Sequence, residues 1–117
     1  MVKPLAISIL FLLLASACAG DRADRALNRV QSTPSALPGL SVEQAIYEVL
    51  NDLRAMRQLG DGEGEWYSNR AWEYDHEVYK VGYRYRHAGG RALFGWEYDY
   101  RQRTLQPITP FAEQVHP

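Results

Sequence analysis

Residues 79–100 read YKVGYRYRHAGGRALFGWEYDY, and this stretch alternates apolar and polar side chains on both sides of a double glycine. Strict alternation is typical of a β-strand that buries one face. The Gly89-Gly90 pair suits a two-residue hairpin loop, because glycine adopts positive φ without steric cost. The sequence therefore predicts an antiparallel hairpin in this stretch.

The loop also predicts a register for the hairpin. If the double glycine forms the loop, Ala88 pairs with Arg91. The pairs on one face are then apolar or aromatic: Tyr85 with Phe94, Tyr83 with Trp96, Val81 with Tyr98, and Tyr79 with Tyr100. The other face sets Lys80 against Asp99, and a slip of one residue would place aromatic side chains against charges.

The clearest helix of the sequence begins after Ser41. Ser41 and Gln44 have the spacing of a capping box, and Gly60 is placed to end the helix. Apolar residues recur between them at helical spacing: Val42, Ala45, Ile46, Val49, Leu50, Leu53 and Met56. This stripe predicts an amphipathic helix that packs its apolar face on the sheet.

Two further strands complete the predicted sheet. One covers about residues 70–77, and the apolar parity switches after it at Val78-Tyr79, which predicts a β-bulge or a bend between two strands. The last strand, Thr104 to Ile108, is confined to a sheet edge by Pro107. The predicted fold class is α+β, with one amphipathic helix packed on a three- or four-stranded antiparallel sheet.

The first seventeen residues have the features of a secretory signal. Lys3 provides a positive start, and an apolar core from Leu5 to Leu14 follows it. The apolar run ends at Ala17 after thirteen residues, whereas a membrane-spanning helix needs roughly 20. Small residues then precede Cys18, which is the only cysteine of the chain.

The motif Ala15-Ser16-Ala17-Cys18 resembles the lipobox of bacterial lipoproteins. The resemblance implies that the signal is cut before Cys18, that the thiol carries diacylglycerol, and that the new amine is acylated with a fatty acid such as palmitate. Ala19 rather than Asp follows the cysteine, which implies sorting to the outer membrane. Ordinary cleavage after Ala17 or Ala19 is the alternative, and it would release a soluble chain.

The sequence divides into four parts. These are a signal peptide at 1–17, a lipidated N-terminus and tether at 18–40, a small α+β domain at 41–110 and a C-terminal tail at 111–117. A short helix at 21–31 and a flexible spacer both fit the tether. Removing Lys3 with the signal leaves 12 basic and 14 acidic residues, and this balance argues against a nucleic-acid partner.

The sequence offers no catalytic motif, no cluster of metal-ligating residues and no glycine-rich phosphate loop. We therefore expect no enzymatic activity, no metal and no cofactor. Eleven of the fourteen aromatic residues lie between 66 and 100, and most of them fit the predicted core. Those nearer the sheet edge are candidates to contact a partner, since Tyr and Trp often anchor interfaces. The predicted contact residues are Trp66, Tyr67, Trp72, Tyr74 and Arg91.

Residues 37–50, LPGLSVEQAIYEVL, resemble the start of the helix in the small lipoprotein subunit of the outer-membrane protein assembly machine. Gly39, Ser41 and Gln44 take the matching positions, and Leu40 stands where that family has Met. The resemblance covers about 14 residues, and it implies a helix ahead of an antiparallel sheet and a role in assembling other proteins.

The sequence thus predicts an outer-membrane lipoprotein that is anchored through acylated Cys18 and whose small domain faces the periplasm. Its predicted role is to bind or scaffold another component of the cell envelope, in particular a protein, without catalysis. Two alternatives stay open: a soluble secreted inhibitor or ligand-binding domain, and a small periplasmic hydrolase.

Overall fold

The fold is given by a computed structural model that describes residues 21–72 and 76–117. The elements in chain order are helix α1 over residues 21–32, helix α2 (Val42–Ala55), strands β1 (Gly62–Arg70), β2 (Val78–His87), β3 (Gly90–Asp99) and β4 (Thr104–Pro107), and helix α3 (Pro110–Val115). The four strands form one antiparallel sheet in the order β1-β2-β3-β4. The predicted α+β class is confirmed.

The core lies between the helices and one face of the sheet. This helix-covered face contributes Tyr79, Val81 and Tyr85 from β2 and Ala92, Phe94, Trp96 and Tyr98 from β3. The helices contribute Ala26 and Val30 from α1, Val42, Ala45, Ile46 and Leu50 from α2, and Ala112 and Val115 from α3. The alternation that predicted the hairpin therefore marks the buried face correctly.

Helix α2 starts as its sequence predicts and ends earlier. The amide of Gln44 donates to Ser41 Oγ at 3.3 Å, and the amide of Ser41 donates to Gln44 Oε1 at 3.0 Å, which completes the capping box. The helix ends at Ala55 rather than near Gly60, because Arg57 adopts a left-handed φ of 57°. A left-handed residue just past a helix terminates it even when it is not glycine.

The predicted register of the hairpin is wrong by two residues. The loop is Ala88-Gly89, so His87 pairs with Gly90, and Tyr83 pairs with Phe94 instead of Trp96. The His87 ring holds this loop, because its Nδ1 accepts a hydrogen bond from the amide of Gly89 at 3.2 Å. A shift of two residues leaves every side chain on its predicted face, since strand side chains alternate with a period of two.

The shift also changes the charged pairs of the hairpin. Lys80 lies opposite Glu97, not Asp99, and Gly82 lies opposite Gly95. The predicted face of Lys80 is right, but its predicted partner is wrong.

The first strand is also misplaced in the prediction. β1 spans Gly62–Arg70, and the described residues of 71–77 belong to the connection that follows it. β2 begins at Val78, so no single long strand crosses the parity switch. The predicted edge strand at Thr104 to Ile108 is present as β4, Thr104–Pro107.

Segments predicted as a tether and a tail pack into the core. Of the two possibilities for the tether, the helix is present, and its Ala26 and Val30 are fully buried. The predicted tail at 111–117 forms most of α3, whose Ala112 and Val115 are also fully buried. Thr109 caps this helix, with its Oγ1 accepting from the amide of Ala112 at 3.2 Å. The folded part of the chain is thus larger than the predicted domain.

Candidate functional site

The predicted contact residue Trp66 belongs to the rim of the core. It lies on the helix-covered face of β1, half-buried, and its ring tilts against that of Tyr83 with 5.1 Å between centroids. Its Nε1 donates a hydrogen bond to Tyr47 Oη on α2 at 3.0 Å. Trp66 therefore joins β1 to α2 and offers only part of its surface to a partner.

Tyr67 points to the opposite, open face of the sheet. There its side chain crosses two strands and lies over the paired glycines Gly82 and Gly95. The Arg84 guanidinium lies 5.1 Å from its ring centroid. The partial burial of this side chain over the two glycines raises the pKa of the Tyr67 hydroxyl. An aromatic side chain over strand glycines replaces the packing that those glycines lack.

We expect Gly82→Ala to lower the free energy of unfolding by about 1–3 kcal/mol. A β-carbon at Gly82 would lie 2.1 Å from the carbonyl oxygen of Phe94, and backbone cannot yield as a side chain can. Gly95→Ala is the matched control, since the three atoms nearest to its β-carbon would all belong to side chains, the closest being those of Tyr67 and Thr109 at 3.1 and 3.2 Å. Urea unfolding followed by circular dichroism measures both; equal losses would contradict the proposed difference between the two sites.

The remaining predicted contact residues lie far from one another. Trp72 follows the end of β1 and is 84% exposed, with the Arg70 guanidinium 5.5 Å from its ring. Arg91 is exposed beside the hairpin loop, which lies next to the start of β1. The nine residues of β1 separate these two ends by roughly 30 Å. Tyr74 lies outside the described residues, and the other four do not form one surface.

A second candidate site is a cleft between α1 and the turn that joins β3 to β4. Its volume is about 730 Å³, within the range of about 300–1,000 Å³ that is common for ligand pockets. We call it the arginine cleft; it is lined by Arg22, Arg25 and Arg29 of α1, Arg101 and Arg103 of the turn, and Glu77, Tyr98 and Tyr100. Among the described residues, five cationic side chains therefore face a single carboxylate.

Helix α1 and the β3–β4 turn form the two walls of the arginine cleft, and hydrogen bonds hold both walls in place. The spacing of Arg22, Arg25 and Arg29 puts the three side chains on one face of α1. Ser68 Oγ on β1 donates to the carbonyl oxygen of Ala23 at 2.7 Å, which fixes α1 against the sheet. In the turn, Asp99 Oδ1 accepts from the amide of Arg101 at 3.0 Å.

Glu77 lies at the floor of the arginine cleft and is held from several sides. Arg22 Nη1 donates to its two carboxylate oxygens at 3.0 and 3.2 Å, and Tyr79 Oη donates to Oε1 at 3.0 Å. Arg70 Nη1 lies 3.6 Å from the same Oε1. The hydrogen bond and the charge of Glu77 raise the pKa of the Arg22 guanidinium. One buried carboxylate thus ties α1, β1 and β2 together.

The other arginines of the cleft are paired unequally. Arg25 Nη2 lies 2.8 Å from Asp21 Oδ2, and Arg25 Nη1 donates to Tyr100 Oη at 3.3 Å. Within residues 21–72 and 76–117, no carboxylate lies within 4.0 Å of the guanidinium nitrogens of Arg29, Arg101 and Arg103. Like charges that converge in this way repel, and a bound anion would relieve the repulsion.

The arginine cleft was missed at the sequence level, although it leaves a signal there. The three α1 arginines recur at helical spacing in the segment interpreted as a tether, and two more flank Gln102 in a turn. Neither group of arginines suggests an anion site by itself, and the formal net charge of the chain, −1, gives no sign of a basic surface. Only the fold brings the two groups together.

No known protein family matches the chain, and no curated protein or solved structure matches it. In the described ranges 21–72 and 76–117, no helix is long and apolar enough to cross a membrane.

Proposed function

We propose that this protein is an outer-membrane lipoprotein whose domain binds another component of the cell envelope without catalysis. The lipobox-like motif that ends at Cys18 supports the anchor. The arginine cleft supports a binding role, and it is the observation that carries the proposal. Its arginines are arranged to hold an anionic group, and α1 begins to contribute them at Arg22, four residues after the proposed anchor.

The chemistry of the arginine cleft favours binding over catalysis. Glu77, the one carboxylate that the described residues place in the cleft, already accepts hydrogen bonds from Arg22 and Tyr79, so it is poorly placed to take a proton from a substrate. Guanidinium groups stay protonated at physiological pH and make poor general acids or bases. The resemblance of residues 37–50 to a subunit of an assembly machine favours a protein as one neighbour of the domain.

Labelling with radioactive palmitate tests the anchor. We expect the wild-type protein to take up label and to fractionate with the outer membrane, and Cys18→Ser to take up none, because its hydroxyl cannot replace the acylated thiol. Ala17→Gly is the matched control, since glycine is accepted before the lipobox cysteine and labelling should persist. Mass spectrometry of the mature N-terminus should find an acylated Cys18.

An unlabelled wild-type protein in the soluble fraction would overturn the anchor. A mature chain that starts at an unmodified Cys18 or at Gly20 would favour the soluble secreted module instead.

A further inference from the structure

We infer that the arginine cleft binds the phosphate groups of anionic lipid headgroups. The inference deepens the proposed function and rests on it, because the anchor at Cys18 is what brings the cleft to the membrane surface. The ligand chemistry is argued from the cleft itself, and the lipid source is argued from the position of the cleft along the chain.

The excess positive charge of the arginine cleft favours binding of an anion. Glu77 and Asp21 satisfy Arg22 and Arg25, whereas Arg29 on one wall and Arg101 and Arg103 on the other have no carboxylate within 4.0 Å among the described residues. These three guanidinium groups approach one space from two sides. An anion placed between them would accept hydrogen bonds from both walls.

The kind of side chain favours phosphate. A guanidinium presents several N–H donors in a planar fork that matches the oxygens of a phosphate group. The phosphate of a headgroup exposes oxygens in more than one direction, so it can bridge α1 and the β3–β4 turn at once. A volume of about 730 Å³ leaves room for the rest of a headgroup beside its phosphate.

The position of the arginine cleft favours a lipid as the source of that phosphate. Asp21, the first described residue of α1, comes three residues after Cys18, and three residues span at most about 11 Å. The α1 wall of the cleft therefore starts close to the acyl chains that would lie in the bilayer. Anionic lipids attract basic clusters held at this distance, and each basic residue strengthens binding by roughly a factor of five.

Vesicle co-sedimentation tests the inference without the anchor. The chain starting at Ala19 cannot be acylated, and it keeps the whole core, which lies between Ala26 and Val115. We expect it to bind vesicles that contain phosphatidylglycerol and not vesicles of phosphatidylcholine alone. Soluble glycerol phosphate should compete with this binding.

Two double variants separate the arginine cleft from general positive charge. Arg101→Gln with Arg103→Gln should weaken binding about 25-fold, the loss of two such factors of five. Arg57→Gln with Arg91→Gln removes the same charge at the opposite end of the sheet and should change binding less than two-fold. The pairs are matched in backbone as well, since Arg57 and Arg103 both have a φ of 57°. Thermal unfolding should show that all chains are folded.

The vesicle-binding results test the arginine cleft, and they are independent of the labelling experiment that tests the anchor. Equal losses in the two double variants, or equal binding to both kinds of vesicle, would overturn the inference. Binding of glycerol phosphate without any binding to vesicles would overturn the lipid source. Palmitate labelling reports on Cys18 alone, so failure of the anchor and failure of the cleft are distinguishable.

Discussion

Replacing Trp96 with alanine is expected to lower the free energy of unfolding by about 3–5 kcal/mol. Trp96 lies on β3, an interior strand, and its side chain is fully buried in the core. Truncation removes the largest fully buried side chain and leaves a cavity between the sheet and the helices. It also removes the hydrogen bond from Trp96 Nε1 to His116 Nδ1, 3.3 Å long, which ties the end of α3 to the sheet.

A loss of this size would consume much of the stability of a domain, which is typically about 5–15 kcal/mol. Urea unfolding followed by far-ultraviolet circular dichroism measures it. Trp96→Phe retains most of the packing and should cost less than Trp96→Ala. Trp72→Ala is the matched control, because Trp72 is 84% exposed and its loss should change stability by no more than about 0.5 kcal/mol. Similar losses for Trp72→Ala and Trp96→Ala would contradict the proposed core.

The faces of the hairpin are predictable from sequence, and its register is not. The odd positions of β2 and the even positions of β3 face the core. The apolar side chains of Tyr83, Phe94 and Trp96 occupy such positions, so their alternation predicts the buried face. A register shifted by two residues buries the same side chains, so the hydropathy pattern fits both registers equally well. The choice between registers depends on the loop, where the His87 ring accepts amide hydrogen bonds that no pattern of hydropathy reveals.

Strand β1 is difficult to predict from sequence for a different reason. Its sequence, GEGEWYSNR, starts with two glycines and two glutamates that resemble a turn. It becomes a strand because β2 provides a partner: Glu65 pairs with Arg84, whose Nη1 donates to Glu65 Oε1 at 3.1 Å, and Trp66 pairs with Tyr83. Cross-strand pairs of this kind stabilise an edge strand whose own propensity is weak.

The arginine cleft depends on contacts that are distant in sequence. The carboxylate of Glu77 meets Arg22 across 55 positions, and Tyr100 meets Arg25 across 75. Local patterns predict elements, but they cannot say which two elements form the walls of a site. The predicted aromatic contact set had the same weakness, because Trp66 and Tyr67 are neighbours in sequence and lie on opposite faces of the sheet.

Glu77→Gln is expected to move stability and lipid binding in opposite directions. The Glu77 side chain is 9% exposed and accepts from Arg22 and Tyr79, so loss of its charge should cost about 2–3 kcal/mol. The same change removes the only carboxylate that lines the arginine cleft within residues 21–72 and 76–117. Its net positive charge then rises by one, and binding of the chain starting at Ala19 to phosphatidylglycerol vesicles should become about five-fold tighter.

Glu48→Gln is the matched control for this variant, because Glu48 is exposed on α2 and does not line the arginine cleft. It removes the same charge from the whole chain, yet it should leave both stability and vesicle binding unchanged. Urea unfolding and co-sedimentation on the same protein preparations provide the two measurements. If Glu77→Gln weakened both, Glu77 would serve the cleft mainly by positioning Arg22, and charge alone would not explain the binding. Tighter binding by a less stable protein is the outcome that only a charge-driven anion site produces, since a change that merely loosens the fold would reduce both quantities.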